Sequence, residues 1–177
     1  TMLNFQGVNI SPEELRGKLY IPGKEGTVTT EIIARARRFG MLVYPLEPEL
    51  ITILTEINVG NPVLVMQNLG FNWLPAWHFS VAVGYDLERR TISLHSGEAF
   101  KQEISFSLFQ KTWARANSWA IAIVQADQLP QTATAEGVIN SASQLEQVGE
   151  FNAALQAYRA VLAKWPEKVL ANFGAGN

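Results

Sequence analysis

Cysteine is absent from the 177-residue sequence, which contains only two histidines. The absence of thiols excludes disulfides, thiolate metal sites and a cysteine nucleophile among these residues. It does not decide the compartment, because proteins without cysteine occur on either side of a membrane. His78 and His95 are the side chains that can act as bases near neutral pH.

Charge is also scarce, since Asp, Glu, Lys and Arg make up 17% of the residues. The 14 basic and 16 acidic side chains give a net charge of -2, which leaves no cationic excess for binding phosphates. We therefore expect no nucleic-acid partner, and we interpret Arg35, Arg37 and Arg38 as a solvated helix face. No apolar run approaches the ~20 residues that span a bilayer, and the first residues lack the pattern of a signal peptide.

Motifs for metals and cofactors are missing as well. The sequence has no Gly-rich phosphate loop, no His-Glu-x-x-His helix and no Gly-x-Ser-x-Gly turn. We therefore predict neither a cofactor nor a metal site. A serine hydrolase is not expected either, because Ser96 is followed by Gly97 and Glu98 in a predicted turn.

Helical signals dominate the first third of the chain. Ser11-Pro12-Glu13-Glu14 has the pattern of a capping box with proline at the first helical position, which predicts a helix through about residue 20. Apolar periodicity and terminal glycines predict further helices at residues 1–7, 27–40 and 47–58.

The period of the apolar residues then changes to that of strands. Larger side chains alternate with smaller ones from Phe79 to Tyr85, and apolar runs predict strands at residues 62–67, 91–95, 102–105 and 118–125. A helix is predicted at residues 106–114. Helices followed by an antiparallel sheet predict an α+β domain with its helices packed to one side.

Composition changes again at residues 127–135, where Pro130 and alternating Thr and Ala are typical of a linker. Residues 136–177 resemble the tetratricopeptide (TPR) motif, a helix pair that repeats about every 34 residues. The resemblance is carried by Gly149, Phe151, Ala154, Tyr158, Leu162 and Pro166. We predict a first domain at 1–126, a linker at 127–135, and at 136–177 one repeat with the start of a second. An ordinary helical hairpin is the alternative.

His78 begins the clearest predicted strand, Trp-His-Phe-Ser-Val-Ala-Val-Gly-Tyr-Asp at positions 77–86. This pattern resembles the histidine strand of the bacteriocin-processing (double-glycine) peptidases, a bacterial group of papain-like cysteine peptidases. Met2-Leu3-Asn4, Gly7 and the helix at 11–20 resemble the residues just after the nucleophile of that family. The resemblance covers about residues 1–125 and implies a papain-like cysteine peptidase fold with His78 as the base.

The resemblance also implies two differences from the family. Its Cys-Gly-Pro and its oxyanion-hole glutamine would fall just before Thr1, so we expect an inactive fragment that lacks the nucleophilic cysteine. Its orienting Asp aligns with Ser96, whose hydroxyl can hold an imidazole but does not stabilise an imidazolium as a carboxylate does. Asn68 and Asp86 are alternative acceptors, and His95 is interpreted as an ordinary strand histidine.

A long loop before His78 contains the residues that we interpret as a substrate-facing rim. Gln67, Asn68, Trp73 and Trp77 combine amides, which can bind an extended peptide, with rings that can form the wall of a groove. The alternative is that the tryptophans only cover the end of the sheet.

Three functional hypotheses follow. The first is a cysteine peptidase-like domain that cleaves or binds peptides, with the TPR segment recruiting a protein partner. The second is a non-catalytic peptide-binding or scaffold module, and the third makes the repeats the functional part. Localisation to the bacterial cytoplasm or the cell envelope is left open, because a targeting segment would precede Thr1.

Overall fold

The computed structural model describes residues 2–7, 29–96, 99–168 and 174. The helix predicted at residues 11–20, the turn residues Gly97 and Glu98, and the predicted start of a second repeat at 175–177 lie outside the described residues. The chain forms two compact units. The first, which we call the sheet unit, contains residues 45–122 and 130–132, and the second, the hairpin unit, contains residues 1–44, 123–129 and 133–177.

Helices and strands follow one another largely as the sequence pattern predicts. They are α1 (Met2–Phe5), α2 (Thr29–Arg38), β1 (Met41–Pro45), α3 (Leu50–Asn58), β2 (Val63–Asn68), β3 (Trp77–Asp86), β4 (Thr91–Ser96), β5 (Ala99–Ser105), α4 (Phe106–Ala114), β6 (Ala120–Gln125), α5 (Ala135–Gln147) and α6 (Phe151–Lys164). The predicted mixture of helices and antiparallel sheet is confirmed. Strand β1 is not predicted, because five residues ending in proline form too short a run to identify a strand.

The strands form a six-stranded sheet in the order β1-β6-β2-β3-β4-β5. Within the sheet unit, β3 is antiparallel to β2 and β4, and β5 is antiparallel to β4. The register of β3 against β4 shifts between Ala82 and Gly84. β3 has one extra residue relative to β4 at this point. The extra residue reverses the alternation, so the side chains after it lie on the opposite face of the sheet from the one that strict alternation would give.

Helix α4 packs against β2 and provides much of the apolar core of the sheet unit. It begins at Phe106 because the side chain of Ser105 accepts a hydrogen bond from the backbone N–H of Leu108. The rings of Phe109 and Trp113 stack with their centroids 5.5 Å apart. The indole N–H of Trp113 donates to the carbonyl of Trp119 at 2.9 Å, so the one polar atom of this ring is satisfied.

A buried carboxylate fixes the path of residues 130–132 in the sheet unit. Glu56 on α3 is 0% exposed, and its two oxygens accept four hydrogen bonds. The donors are the amide of Asn61 (2.9 Å), the backbone N–H of Gln131 (3.1 Å), and the backbone N–H (2.7 Å) and hydroxyl (2.6 Å) of Thr132. This part of the predicted linker is therefore tied to α3.

The hairpin unit contains the two C-terminal helices that the sequence predicts. Helix α5 is capped by Thr134, whose side chain accepts from the N–H of Gly137, and α6 follows a turn in which Gly149 has φ +85°. That left-handed conformation favours glycine. The core of the hairpin is formed by Val138, Ala142, Leu145, Ala154, Ala157 and Val161. Its assignment to the TPR family stays a prediction.

The predicted domain boundaries stay a prediction, and within the hairpin unit residues before β2 pack with the helical hairpin. The hydroxyl of Tyr44 accepts a hydrogen bond from the N–H of Thr134 at 3.1 Å. Arg37 on α2 donates to the side chain of Gln144 on α5, and burial lowers the pKa of this guanidinium. Arg37 is therefore half-buried against α5 and does not lie on a solvated face as the sequence suggests.

Candidate active site

His78 and Ser96 lie at the same end of two neighbouring strands. His78 is the second residue of β3 and Ser96 is the last residue of β4. The register that pairs Val81 with His95 puts Ser96 opposite Ser80, on the diagonal from His78. The ring nitrogen Nε2 of His78 lies 2.5 Å from Ser96 Oγ, and both side chains are half-buried. The structure thus brings the predicted base His78 together with Ser96, which the sequence aligns with the orienting Asp.

The hydrogen bond between His78 and Ser96 occupies one ring nitrogen only. It involves Nε2, and Nδ1 has no hydrogen-bond partner among the described ranges of the chain. A neutral imidazole with its proton on Nε2 can donate to a hydroxyl oxygen while Nδ1 keeps a free lone pair. This arrangement leaves Nδ1 available for proton exchange with a reacting group.

The two alternative acceptors for His78 have other partners. Asp86 lies at the opposite end of β3, roughly 25 Å away at the usual rise of a strand, and its side chain accepts from the N–H of Arg89 at 2.9 Å. Asn68 accepts from the backbone N–H groups of Gly70 and Ala76, both at 2.9 Å. Of the three acceptors considered, Ser96 is the one that lies within hydrogen-bond distance of His78.

A buried row of polar side chains lies beside His78 on the same face of the sheet. Gln67 is paired with His78 across β2 and β3, and its side chain donates to Thr112 Oγ1 (2.7 Å) and accepts from Ser80 Oγ (3.1 Å). Thr112 in turn donates to backbone carbonyls of α4. Because every member is satisfied, the row holds this face in one arrangement.

The local sequence pattern does not indicate that Ser80 or Thr112 belongs to this region. A signal exists for Ser80, because it lies two residues from His78 on a strand and therefore on the same face. No sequence signal exists for Thr112, because its contact with Gln67 depends on how α4 packs against β2.

The four residues proposed as a substrate rim do not assemble around His78. Gln67 is 2% exposed and Asn68 is 1% exposed, and both amides are hydrogen-bonded within the unit. Trp77 is 55% exposed but pairs with Asn68, so it lies on the face of the sheet opposite His78. Trp73 is 79% exposed in the loop between β2 and β3. A peptide at His78 would thus not meet these four side chains as one surface.

The hairpin unit contains a cavity of about 390 Å³. Its polar lining consists of the carboxylates of Asp127 and Glu150 and the amides of Gln6, Gln125, Asn152 and Gln156. The side chain of Gln125 donates to the carbonyl of Gln6 at 3.1 Å, which ties β6 to the end of α1. All of the lining residues belong to the hairpin unit.

Searches for metal ligands and membrane spans gave negative results for the part of the chain that the structure describes. No group of three or more His, Cys, Asp or Glu side chains is arranged to hold a metal ion within the described ranges. None of the helices described is long and apolar enough to cross a membrane.

Comparison with solved structures identifies the architecture. A crystal structure from Bacillus anthracis, described as a candidate C39-like peptidase, superposes with a TM-score of 0.55 and 13% sequence identity. The match covers 70% of this chain and 84% of the other. This chain has a C39-like peptidase fold. No protein-family model matches the sequence, and no curated protein matches it.

The similarity to the C39-like structure concerns the fold alone, because a sequence identity of 13% does not show that individual residues have the same role. It agrees with the papain-like fold that the residues around His78 suggest. The double-glycine specificity and the TPR assignment are finer statements and are taken up below as proposals.

Proposed function

We propose that the chain carries a papain-like, peptidase-type domain that binds or cleaves peptide segments, with His78 as its acid–base residue. The observation that carries this proposal is the 2.5 Å contact between His78 Nε2 and Ser96 Oγ in a domain of C39-like fold. It supports a ring that is held in one orientation by Ser96 while Nδ1 is available to exchange a proton.

The proposed chemistry uses that free nitrogen. Nδ1 of neutral His78 takes the proton of a thiol, and the resulting thiolate attacks the carbonyl carbon of a peptide bond. The imidazolium then gives its proton to the departing amine, and an acyl-enzyme remains. Water hydrolyses the acyl-enzyme with His78 acting again as the base. Ser96 positions the ring throughout, although it stabilises the imidazolium less than a carboxylate would.

The thiol in this scheme lies outside the 177 residues, which contain no cysteine. Turnover therefore requires a cysteine elsewhere in the polypeptide. These residues alone would bind a peptide without cleaving it.

Two measurements test the proposal. The first is the NMR signal of the imidazole protons in this chain at a pH where both histidines are neutral. We expect the His78 Nε2 proton to be protected from exchange with water and to lose that protection in Ser96→Ala. Observation of the Nδ1–H tautomer in the unaltered protein would contradict the role given to Nδ1. His95→Gln serves to assign the two rings and should leave the His78 signal unchanged.

The second measurement uses the whole gene product and an iodoacetamide probe at neutral pH. We expect a single cysteine to label rapidly, and His78→Ala to slow the labelling at least ~100-fold, the range typical of general-base assistance. His95→Ala is the matched control and should label at the unaltered rate. A gene product without cysteine, or labelling that is independent of His78, would exclude the peptidase mechanism.

A non-catalytic peptide-binding or scaffold module is the second candidate, because the hydrogen-bonded pair of His78 and Ser96 could bind a peptide without a thiol. In that case His78 and Ser96 would bind a peptide carbonyl or carboxylate instead of activating a thiol. Peptide binding by the 177-residue chain that is lost in His78→Ala, combined with a gene product lacking cysteine, would support this reading.

We further propose that α5 and α6 form a TPR-type repeat that recruits a protein partner. The turn at Gly149 and the buried Ala154 and Tyr158 of the helical hairpin support this assignment. A second helix pair with the same pattern, about 34 residues further along the gene product, would support the repeat. Its absence would favour an isolated helical hairpin.

A further inference from the structure

Large apolar side chains are concentrated in one exposed loop of the sheet unit. We call residues 69–77 the aromatic loop. Its five large apolar side chains are all more than half exposed: Leu69, Phe71, Trp73, Leu74 and Trp77. Scattered exposed apolar residues are normal on a protein surface, whereas a contiguous group of this kind marks an interaction site.

Hydrogen bonds along the backbone hold the aromatic loop in a defined turn. Phe71 and Leu74 exchange both backbone hydrogen bonds at 3.1 Å, so Asn72 and Trp73 form a two-residue turn at the tip. Asn68 closes the base by accepting from the N–H groups of Gly70 and Ala76. The rings of Phe71 and Trp73 stack 5.8 Å apart. A tip of this shape presents its side chains outward, where a flat apolar layer can receive them.

Cationic side chains lie beside the aromatic loop. The guanidinium of Arg115 donates to the carbonyl of Gly70 at 2.8 Å, and Lys111 lies four residues earlier in the chain at the end of α4. Side chains four residues apart at the end of a helix share one face. The loop itself contains no acidic residue. The apolar tip is therefore flanked by positive charge.

We propose that the aromatic loop inserts shallowly into the surface of an anionic lipid bilayer. Tryptophan and other aromatic side chains favour the interface between headgroups and acyl chains, and nearby Lys and Arg are attracted to anionic headgroups. An exposed apolar tip with an adjacent Arg and a nearby Lys fits that surface. This inference concerns a surface that the proposed chemistry of His78 does not use.

Co-sedimentation of the 177-residue protein with lipid vesicles tests the proposal. We expect binding to vesicles of phosphatidylcholine and phosphatidylserine, and weaker binding to phosphatidylcholine alone. Leu74→Ala should weaken partitioning about tenfold. Leu87→Ala is the matched control, because Leu87 is as exposed as Leu74 but lies in the turn at the opposite end of β3. It should bind as the unaltered protein does.

Separate experiments test the contribution of the cationic side chains and the depth to which the aromatic loop inserts. Lys111→Gln should weaken binding to anionic vesicles about fivefold, while Arg90→Gln in the turn between β3 and β4 should have little effect. Brominated lipids should quench the fluorescence of Trp73 and Trp77, so Trp73→Phe should reduce the quenching while vesicle binding persists.

Two results would overturn the proposal. The first is failure of the unaltered protein to bind anionic vesicles, and the second is binding that is insensitive to Leu74→Ala. A soluble peptide or protein that binds the chain and loses affinity in Leu74→Ala, in the absence of vesicle binding, would reassign the aromatic loop to a protein partner.

Discussion

Replacing Glu56 with glutamine is expected to destabilise the sheet unit by about 2–4 kcal/mol. The carboxylate is fully buried and accepts four hydrogen bonds, two at each oxygen. A glutamine can keep its oxygen towards the N–H and hydroxyl of Thr132. Its NH₂ group would then face the amide of Asn61 and the N–H of Gln131, which leaves two partly buried donors without this acceptor. Each unsatisfied buried donor costs about 1–3 kcal/mol, and relief from burying a charge offsets part of the loss.

Urea unfolding followed by circular dichroism measures the global effect, and hydrogen exchange measures the local one. We expect the N–H groups of Gln131 and Thr132 to lose protection in Glu56→Gln before the strands of the sheet do. Glu47→Gln is the control, because Glu47 is exposed and its substitution should change stability by less than ~0.5 kcal/mol. A Glu56→Gln protein with unaltered stability and unaltered protection at Thr132 would refute the view that this carboxylate anchors the segment.

Two further predictions concern other parts of the chain. Gly70→Ala should destabilise the aromatic loop by about 1–3 kcal/mol, because an added Cβ would lie 2.4 Å from the carbonyl of Leu74. The control Gly84→Ala, with its nearest neighbour at 3.7 Å, should leave the melting temperature nearly unchanged. Burial, and then the carboxylate of Glu146, raise the pKa of Tyr158 to about 12. Because the pKa of Tyr158 in the folded protein is raised above its ordinary value of 10.0, the contribution of the neutral phenol to the stability of the fold is complete below pH 10. This contribution is lost as the pH rises towards 12. Tyr158→Phe should remove the late step in an absorbance titration at 295 nm, and persistence of that step would contradict the assignment.

Local patterns predict several elements because their determinants are close in sequence. Helix α4 runs over the predicted residues, since the Ser105 cap precedes an apolar helical period. The turn at Gly149 between α5 and α6 follows from a glycine between two helical patterns. By contrast, β1 escapes prediction because its five residues carry no period, and its assignment as a strand depends on pairing within the sheet.

The candidate site also has features that the sequence pattern predicts and features that depend on tertiary structure. The sequence pattern around position 78 indicates a histidine at a strand end and aligns Ser96 with an orienting residue, and the structure brings the two side chains together. Their contact depends on the register of β3 against β4, which is decided by pairing across the sheet. Strand alternation puts Trp77 on the face opposite His78, and packing buries the amides of Gln67 and Asn68, which the local sequence pattern does not reveal.

The sequence by itself determined most of the succession of helices and strands, the absence of a thiol from these 177 residues, and the position of a histidine at the start of a strand. Only the tertiary structure decided which hydroxyl holds that histidine, which amides turn inward, and that Glu56 ties residues 130–132 to α3. The physical reason is that periodicity and capping act over a few residues, whereas hydrogen bonds between Glu56 and Thr132, 76 residues apart, form only after the chain has packed.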